Sequence, residues 1–238
     1  MIRLRYTPLE RIPVGRPVNR IGYLANACRG KTVLDLGALD ETAFQAKTGR
    51  GTWLHEEIAK VAEQVIGLDS SALIPADGLR TAPNAVIRSG DISDIGPLLD
   101  AIDIIPDVIV AGELIEHLEN PLEFLRGLRG MPRLSGKRLL FSTPNATAAH
   151  NCIIALSKRE STHHDHLCIL SFKTLNTLLS RAGYKNWVIT PYYSAFDEMK
   201  QRNRGGRRKL VGFGQAGINA VEFMFPLLSF GFVVDAVI

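Results

Sequence analysis

The sequence is poor in cysteine, with three in 238 residues (Cys28, Cys152 and Cys168). An odd number in no metal-ligand spacing argues against a disulfide framework, and the chain reads as reduced and cytoplasmic. It also lacks a clean spanning segment. The most apolar stretch, residues 218–238, is interrupted by Glu222, Pro226 and Asp235, whereas a membrane helix needs roughly 20 apolar residues without such costs. It is expected to form a buried helix plus a final strand, with interfacial membrane contact as the other reading. The opening residues have no apolar core of signal-peptide length, and no internal repeat or Ser-His-Asp signature is visible. No large excess of one charge exists either. A formal net charge of +4 allows a basic patch and does not by itself imply nucleic acid.

What remains is ordinary globular material, 46% apolar and 22% charged, enough for one α/β domain that buries about 70% of its unfolded surface. Apolar runs at Thr32–Leu36, Val65–Leu68, Ala85–Ile87, Asp107–Ala111, Arg138–Phe141, Trp187–Ile189 and Phe230–Val237 read as strands. Helical periodicity falls between them, over Trp53–Val65, from Pro121 and over Ser171–Ala182. This alternation predicts a doubly wound, mostly parallel seven-stranded sheet with an antiparallel last strand. The expected organisation is a single domain over 1–238. It comprises an N-terminal cap (1–29), a cofactor-binding half (30–145) and a substrate-side half (146–238) with a basic insertion near 195–226. Within that insertion, Lys200–Lys209 holds six Lys or Arg in ten residues and reads as a loop.

Strand, glycine turn, helix, then a strand ending in an acid is a geometry that holds a nucleoside. Gly37 follows the first strand and Asp69 ends the second, placed to accept hydrogen bonds from ribose hydroxyls. A phosphate-binding Gly-x-Gly-x-x-Gly is absent. Gly37 is followed by Ala38, Leu39, Asp40 and Glu41, and acids there repel a pyrophosphate, which argues against a nicotinamide dinucleotide. His55 sits in a polar stretch and is expected at the surface.

The run Asp107-Val-Ile-Val-Ala-Gly-Glu113-Leu-Ile-Glu116-His117 leads a buried strand into two acids and a histidine. Glu113, Glu116 and His117 lie at i, i+3 and i+4, so a helical turn would put them on one face. Four of six histidines fall between His150 and His166, in a segment that leaves the same sheet edge.

Taken in order, Val33–Gly37, Val65–Asp69, Gly90–Ile92, Asp107–Pro121, Phe141–Asn145 and Leu179–Tyr184 resemble the motifs of class I S-adenosylmethionine-dependent methyltransferases over residues 30 to 190. The resemblance implies that Gly37 lines the methionine part, Asp69 binds the ribose and Asp91 the adenine amino group. It completes the cofactor pocket with Asp35, Ala38, Ser70, Ile92 and Gly112. Trp53–Val65 resembles bacterial members associated with sugar and cell-surface glycan methylation. The Glu-x-x-Glu-His, followed by Asp165-His166, is similar to the small-RNA 3′-terminal 2′-O-methyltransferases, and bacterial quinone-pathway O-methyltransferases carry a similar Glu-x-x-Glu-His. That likeness implies a divalent metal, Mg²⁺ or Mn²⁺, on Glu113, Glu116, His117 and His166. His163, His164 and His166 are then the candidate catalytic histidines.

The function expected is therefore metal-assisted O-methylation of a sugar or glycan hydroxyl. The alternatives are an RNA 2′-O-methyltransferase, a quinone or other small-molecule O-methyltransferase, and a non-enzymatic cofactor-binding partner module. The expected partner is a small-molecule or glycan acceptor rather than nucleic acid, with peripheral membrane contact a further prospect.

Overall fold

A computed structural model describes residues 4–39, 44–92, 95–101 and 105–238; Asp40 and Glu41 lie outside them. The sheet forms from β1 (Thr32–Leu36), β2 (Gln64–Asp69), β3 (Leu79–Ala82), β4 (Ala85–Ser89), β5 (Val108–Gly112), β6 (Arg138–Pro144), β7 (Trp187–Tyr192) and β8 (Gly231–Val237). Their order across the sheet is β3-β4-β2-β1-β5-β6-β8-β7. The five strands from β4 to β6 run parallel, while β8 inserts antiparallel between β6 and β7 and β3 adds antiparallel at the far edge. The expected doubly wound architecture is present, with eight strands in place of seven. The extra one is β3.

Alternate residues of each central strand serve opposite faces, which is why both faces carry helices. Val33, Val65, Val110 and Leu140 pack against Leu24 and Ala25 of α1 (Arg20–Ala27) and Ile58 of α3 (Leu54–Ala59). Leu34, Leu36, Ile109 and Phe141 pack on the other face. They meet Leu99 of α4 (Gly96–Ala101), Leu125 of α5 (Pro121–Gly130) and Leu175 of α7 (Phe172–Arg181). Each fully buried side chain of this kind stabilises the fold by about 1.5–3 kcal/mol. Asn120 caps α5 through the Glu123 amide, with proline in its first turn, and Ser171 caps α7 in a reciprocal box with Thr174, both as their residue types favour. A short α2 (Phe44–Lys47) lies between β1 and α3.

The second half departs from the expectation. Lys200–Lys209 is mostly helix: α8 (Asp197–Arg202) ends there and, after a break at Asn203 and Arg204, α9 (Gly205–Met224) begins. The stretch after 218 is not a buried helix, because only Glu222 of α9 is buried. A further helix, α6 (Ala149–Ala155), follows β6 and packs against α9. No helix among the described residues is long and apolar enough to cross a membrane.

Candidate active site

The chain reverses its strand order beside β1, so the crevice at the carboxyl ends of β1 and β5 is where an open α/β sheet holds ligands. Gly37 turns there with φ of 70°, a left-handed conformation that favours glycine. A β-carbon on it would meet Leu114 at 3.1 Å. Ala38 and Leu39 are buried against Trp53, whose indole N–H donates to the Ala38 carbonyl at 3.0 Å. Asp69 is buried at the tip of β2 and accepts from the Leu39 and Ser71 amides, each at 2.9 Å. Ser70 and Asp91 are exposed, Ile92 is half-buried, and Gly112 ends β5.

Asp35 points to the α3 face and is bound by His55, whose Nδ1 stands 2.9 Å from its Oδ2 and whose Nε2 lies 2.9 Å from the Thr81 hydroxyl. His55 is therefore buried, contrary to the surface position expected of it. The pull is a buried aspartate on β1 that requires a partner.

Beyond β5 the predicted helical turn is not made. Glu113 takes φ of 55°, a conformation that costs a non-glycine residue on the order of 1 kcal/mol. A 3-10 turn over Ile115–His117 follows it. Glu113 consequently parts from Glu116 and His117. Its Oε1 accepts from the Tyr192 hydroxyl at 2.9 Å and lies 4.0 Å from Arg20, and its amide donates to Ser142. Arg20 is placed by the amino-terminal segment, where Val18 bridges to Tyr192 along β7. Tyr192 can lie across β8 because its neighbour there is Gly231, where a β-carbon would stand 2.3 Å from the phenol.

Glu116 is fully buried with neither carboxylate oxygen hydrogen-bonded among the described residues. Burial first, then the Glu113 charge, pushes its pKa up to about 9. The Leu167 and Cys168 amides donate to the Glu116 carbonyl, and Asn145 bridges to Leu170 at the base of the loop. That tether brings His166 over the carboxyl. One ligand atom each from Glu116, His117 and His166 lies within 4.8 Å of the others. The His117 and His166 rings meet edge to face at 4.6 Å, and His166 Nδ1 is buried without a partner. Burial, then the neighbouring imidazoles, lowers the pKa of both histidines.

A carboxyl that would ligate once deprotonated and two imidazoles, with both Glu116 oxygens and His166 Nδ1 unpartnered among the described residues, form a donor set that suits a divalent cation of intermediate hardness. His163 sits at the rim, its ring 5.7 Å from that of His166. His164 is 80% exposed on its side chain and turns to Asp165 at 3.1 Å.

A family model described as a methyltransferase domain matches residues 15–188. The chain belongs to this methyltransferase family. A Mycolicibacterium smegmatis protein described as "Probable S-adenosylmethionine-dependent methyltransferase" is 35% identical over 122 residues. The match covers 51% of this chain and 41% of that protein, so the chain spans less than half the length of this curated relative. Among solved structures, a small RNA methyltransferase aligns with TM-score 0.58 at 16% identity, over 92% of this chain and 24% of that one. A Thermotoga maritima protein described as a SAM-dependent methyltransferase and possible histamine N-methyltransferase gives 0.54 at 11%, over 92% and 87%. These likenesses carry the fold. The matched region, residues 15–188, is a methyltransferase domain.

Of the expected site, the methyltransferase fold brings together Glu116, His117 and His166, sets His163 beside them, and places Gly37 and Asp69 at the cofactor edge. Glu113 and His164 are turned elsewhere. Arg20, Ser142 and Tyr192 belong to the site's wall and were not singled out by the sequence. Only Ser142 carried a signal, as part of the Ser-Thr-Pro-Asn run after β6.

Proposed function

We propose that this methyltransferase transfers its methyl group to a hydroxyl of a sugar or glycan, assisted by a divalent cation held by Glu116, His117 and His166. One observation carries the reading: three ligand atoms converge within 4.8 Å, while both Glu116 oxygens and His166 Nδ1 are buried without partners. Such groups cost about 1–3 kcal/mol each when left unsatisfied, so a ligand that uses them all accounts for their presence. A sugar hydroxyl is a poor nucleophile at neutral pH, and a cation at these residues would acidify it and fix its oxygen.

S-adenosylmethionine supplies the methyl on its sulfonium, with Asp69 and Gly37 at the edge expected to hold its ribose and methionine parts. The in-line displacement demands position more than acid–base power. His163, at the rim and open to solvent, is suited to carry the acceptor proton away. Glu113, fixed by Tyr192 and Arg20, walls the pocket. The segments 4–29, 146–166 and 195–226 are the ones that would choose the acceptor.

The test is transfer of labelled methyl to a panel of mono- and oligosaccharides, read by mass spectrometry with and without chelator. EDTA should abolish turnover and Mg²⁺ or Mn²⁺ restore it. Full activity of Glu116→Ala in chelator removes the cation from the reading, and turnover on other acceptor classes alone removes the sugar. A second reading, transfer to a ribose 2′-hydroxyl of RNA, draws on the exposed Arg204, Arg207 and Arg208. It requires salt-dependent RNA binding that the triple Arg→Ala variant loses.

A further inference from the structure

Helix α9 is anchored to the protein by polar groups on its inner face, among half-buried Val211, Ile218 and Val221: the Glu222 carboxylate accepts from the Ser194 amide and hydroxyl at 3.0 and 2.6 Å, and Gln215 accepts from the Phe196 amide at 3.3 Å. Its outer face is apolar. Leu210, Phe213, Gly217, Ala220 and Met224 recur at i, i+3, i+7, i+10 and i+14, one stripe of a helix, and all five are exposed. Leu210 is 71% and Phe213 76% exposed. Ile153 at 54% and Leu156 at 88%, from the end of the adjoining α6, extend the same apolar surface. An exposed patch of this kind marks a contact rather than a solvated face.

Charge says what the contact is with. Arg204, Arg207, Arg208 and Lys209 cluster at the amino end of the stripe, all exposed, and none is in an ion pair among the described residues. Between Gly205 and Met224 the sole acid is the buried Glu222. Four cations beside aromatic and aliphatic side chains, with no acid on the outer face, complement a surface that is anionic outside and hydrocarbon beneath. The helix cannot cross such a surface. It can lie in it.

We infer that the α6–α9 face docks the enzyme flat on an anionic lipid bilayer, with Leu210 and Phe213 inserted at the headgroup boundary and the four cations on lipid phosphates. The inference does not depend on which acceptor is methylated or on the cation. It also gives the polar groups of the inner face a reason, since a helix whose outer side meets lipid must find its polar partners within the protein.

The experiment is co-sedimentation of the full chain with vesicles of phosphatidylcholine, alone or mixed with phosphatidylglycerol. The wild-type chain should sediment with the mixed vesicles, less so as salt rises, and stay largely in solution with phosphatidylcholine alone. The Leu210→Glu, Phe213→Glu double variant, altered at exposed positions, should lose about tenfold or more of that binding. The quadruple Arg/Lys→Gln variant should lose a comparable factor and most of its salt dependence. Two results overturn the proposal. One is a wild-type chain that ignores both vesicles, whether or not it binds a short RNA through the same arginines. The other is a wild-type dimer that the double variant converts to monomer without vesicle binding, which would make the face an interface between copies.

Discussion

Between β1, α3 and β3, Asp35, His55 and Thr81 find hydrogen-bond partners inside the chain. Beyond β5 and β6, Glu116, Thr143, His150 and His166 bury polar atoms that have none among the described residues. Burial penalises both groups. The first set is tied off and stabilises the fold. The second leaves its polar atoms open among the described residues. Satisfied and unsatisfied buried polar groups thus sit in neighbouring parts of the sheet.

The largest expected effect tests the tied-off side. His55→Ala leaves Asp35 buried without its partner, which should cost about 3 kcal/mol and lower Tm by roughly 6–12 °C. A calorimetric scan showing an unchanged Tm would break the contrast. On the open side, Glu116→Gln should reduce methyl transfer by on the order of a hundredfold and leave Tm level or raised. A fall in Tm of several degrees would mean that Glu116 is structural. Gly231→Ala falls between the two. Its β-carbon collides with the Tyr192 ring and the Thr143 carbonyl, so a stability loss of about 1–3 kcal/mol should accompany weaker turnover.

A buried acid with partners sharpens the comparison further. Burial raises the Glu222 pKa above its ordinary 4.5 despite the Ser194 hydrogen bonds. The folded state therefore binds that proton more tightly than the unfolded one, and stability falls as pH rises from the ordinary carboxyl range through the raised value. Glu222→Gln should flatten that slope in urea titrations at several pH values; an unchanged slope would assign it to other groups. The smallest effect concerns thiols. Cys28, pushed up to about 12 by burial and then by Asp35, should resist alkylation at pH 8 in the folded protein, while the exposed Cys152 labels. Mass spectrometry separates them, and labelled Cys28 would show that the α1 side of the core opens.

Most of the sheet was legible because its strands are buried on both faces and read as continuous apolar runs. Strand β3 was not. Leu79–Ala82 is a partly exposed edge with a register shift against β4, and such a strand has no apolar run to announce it. The start of α9 was missed because paired glycines among cations have low helix propensity; the helix is fixed by its inner-face hydrogen bonds. Glu116 and His117 came from spacing, and His166 from the resemblance to a known motif. Glu113 stands apart from the other two because spacing assumes helical backbone, and its positive φ is written in no side chain. His55 misleads for a related cause, since its burial is decided by a strand residue twenty positions earlier.

The place of β8 bears on how the molecule assembles. It is the final strand in sequence and an interior one in space, and β7 joins the sheet only through it. Synthesis delivers β7, with Tyr192, before the strand that fastens it. Until Gly231–Val237 joins the sheet, β7 has no strand to pair with, and the hydrogen bond from Tyr192 to Glu113 waits on it. A chain stopped before β8 thus has the parallel centre of the sheet but not the Tyr192 contact that fixes Glu113.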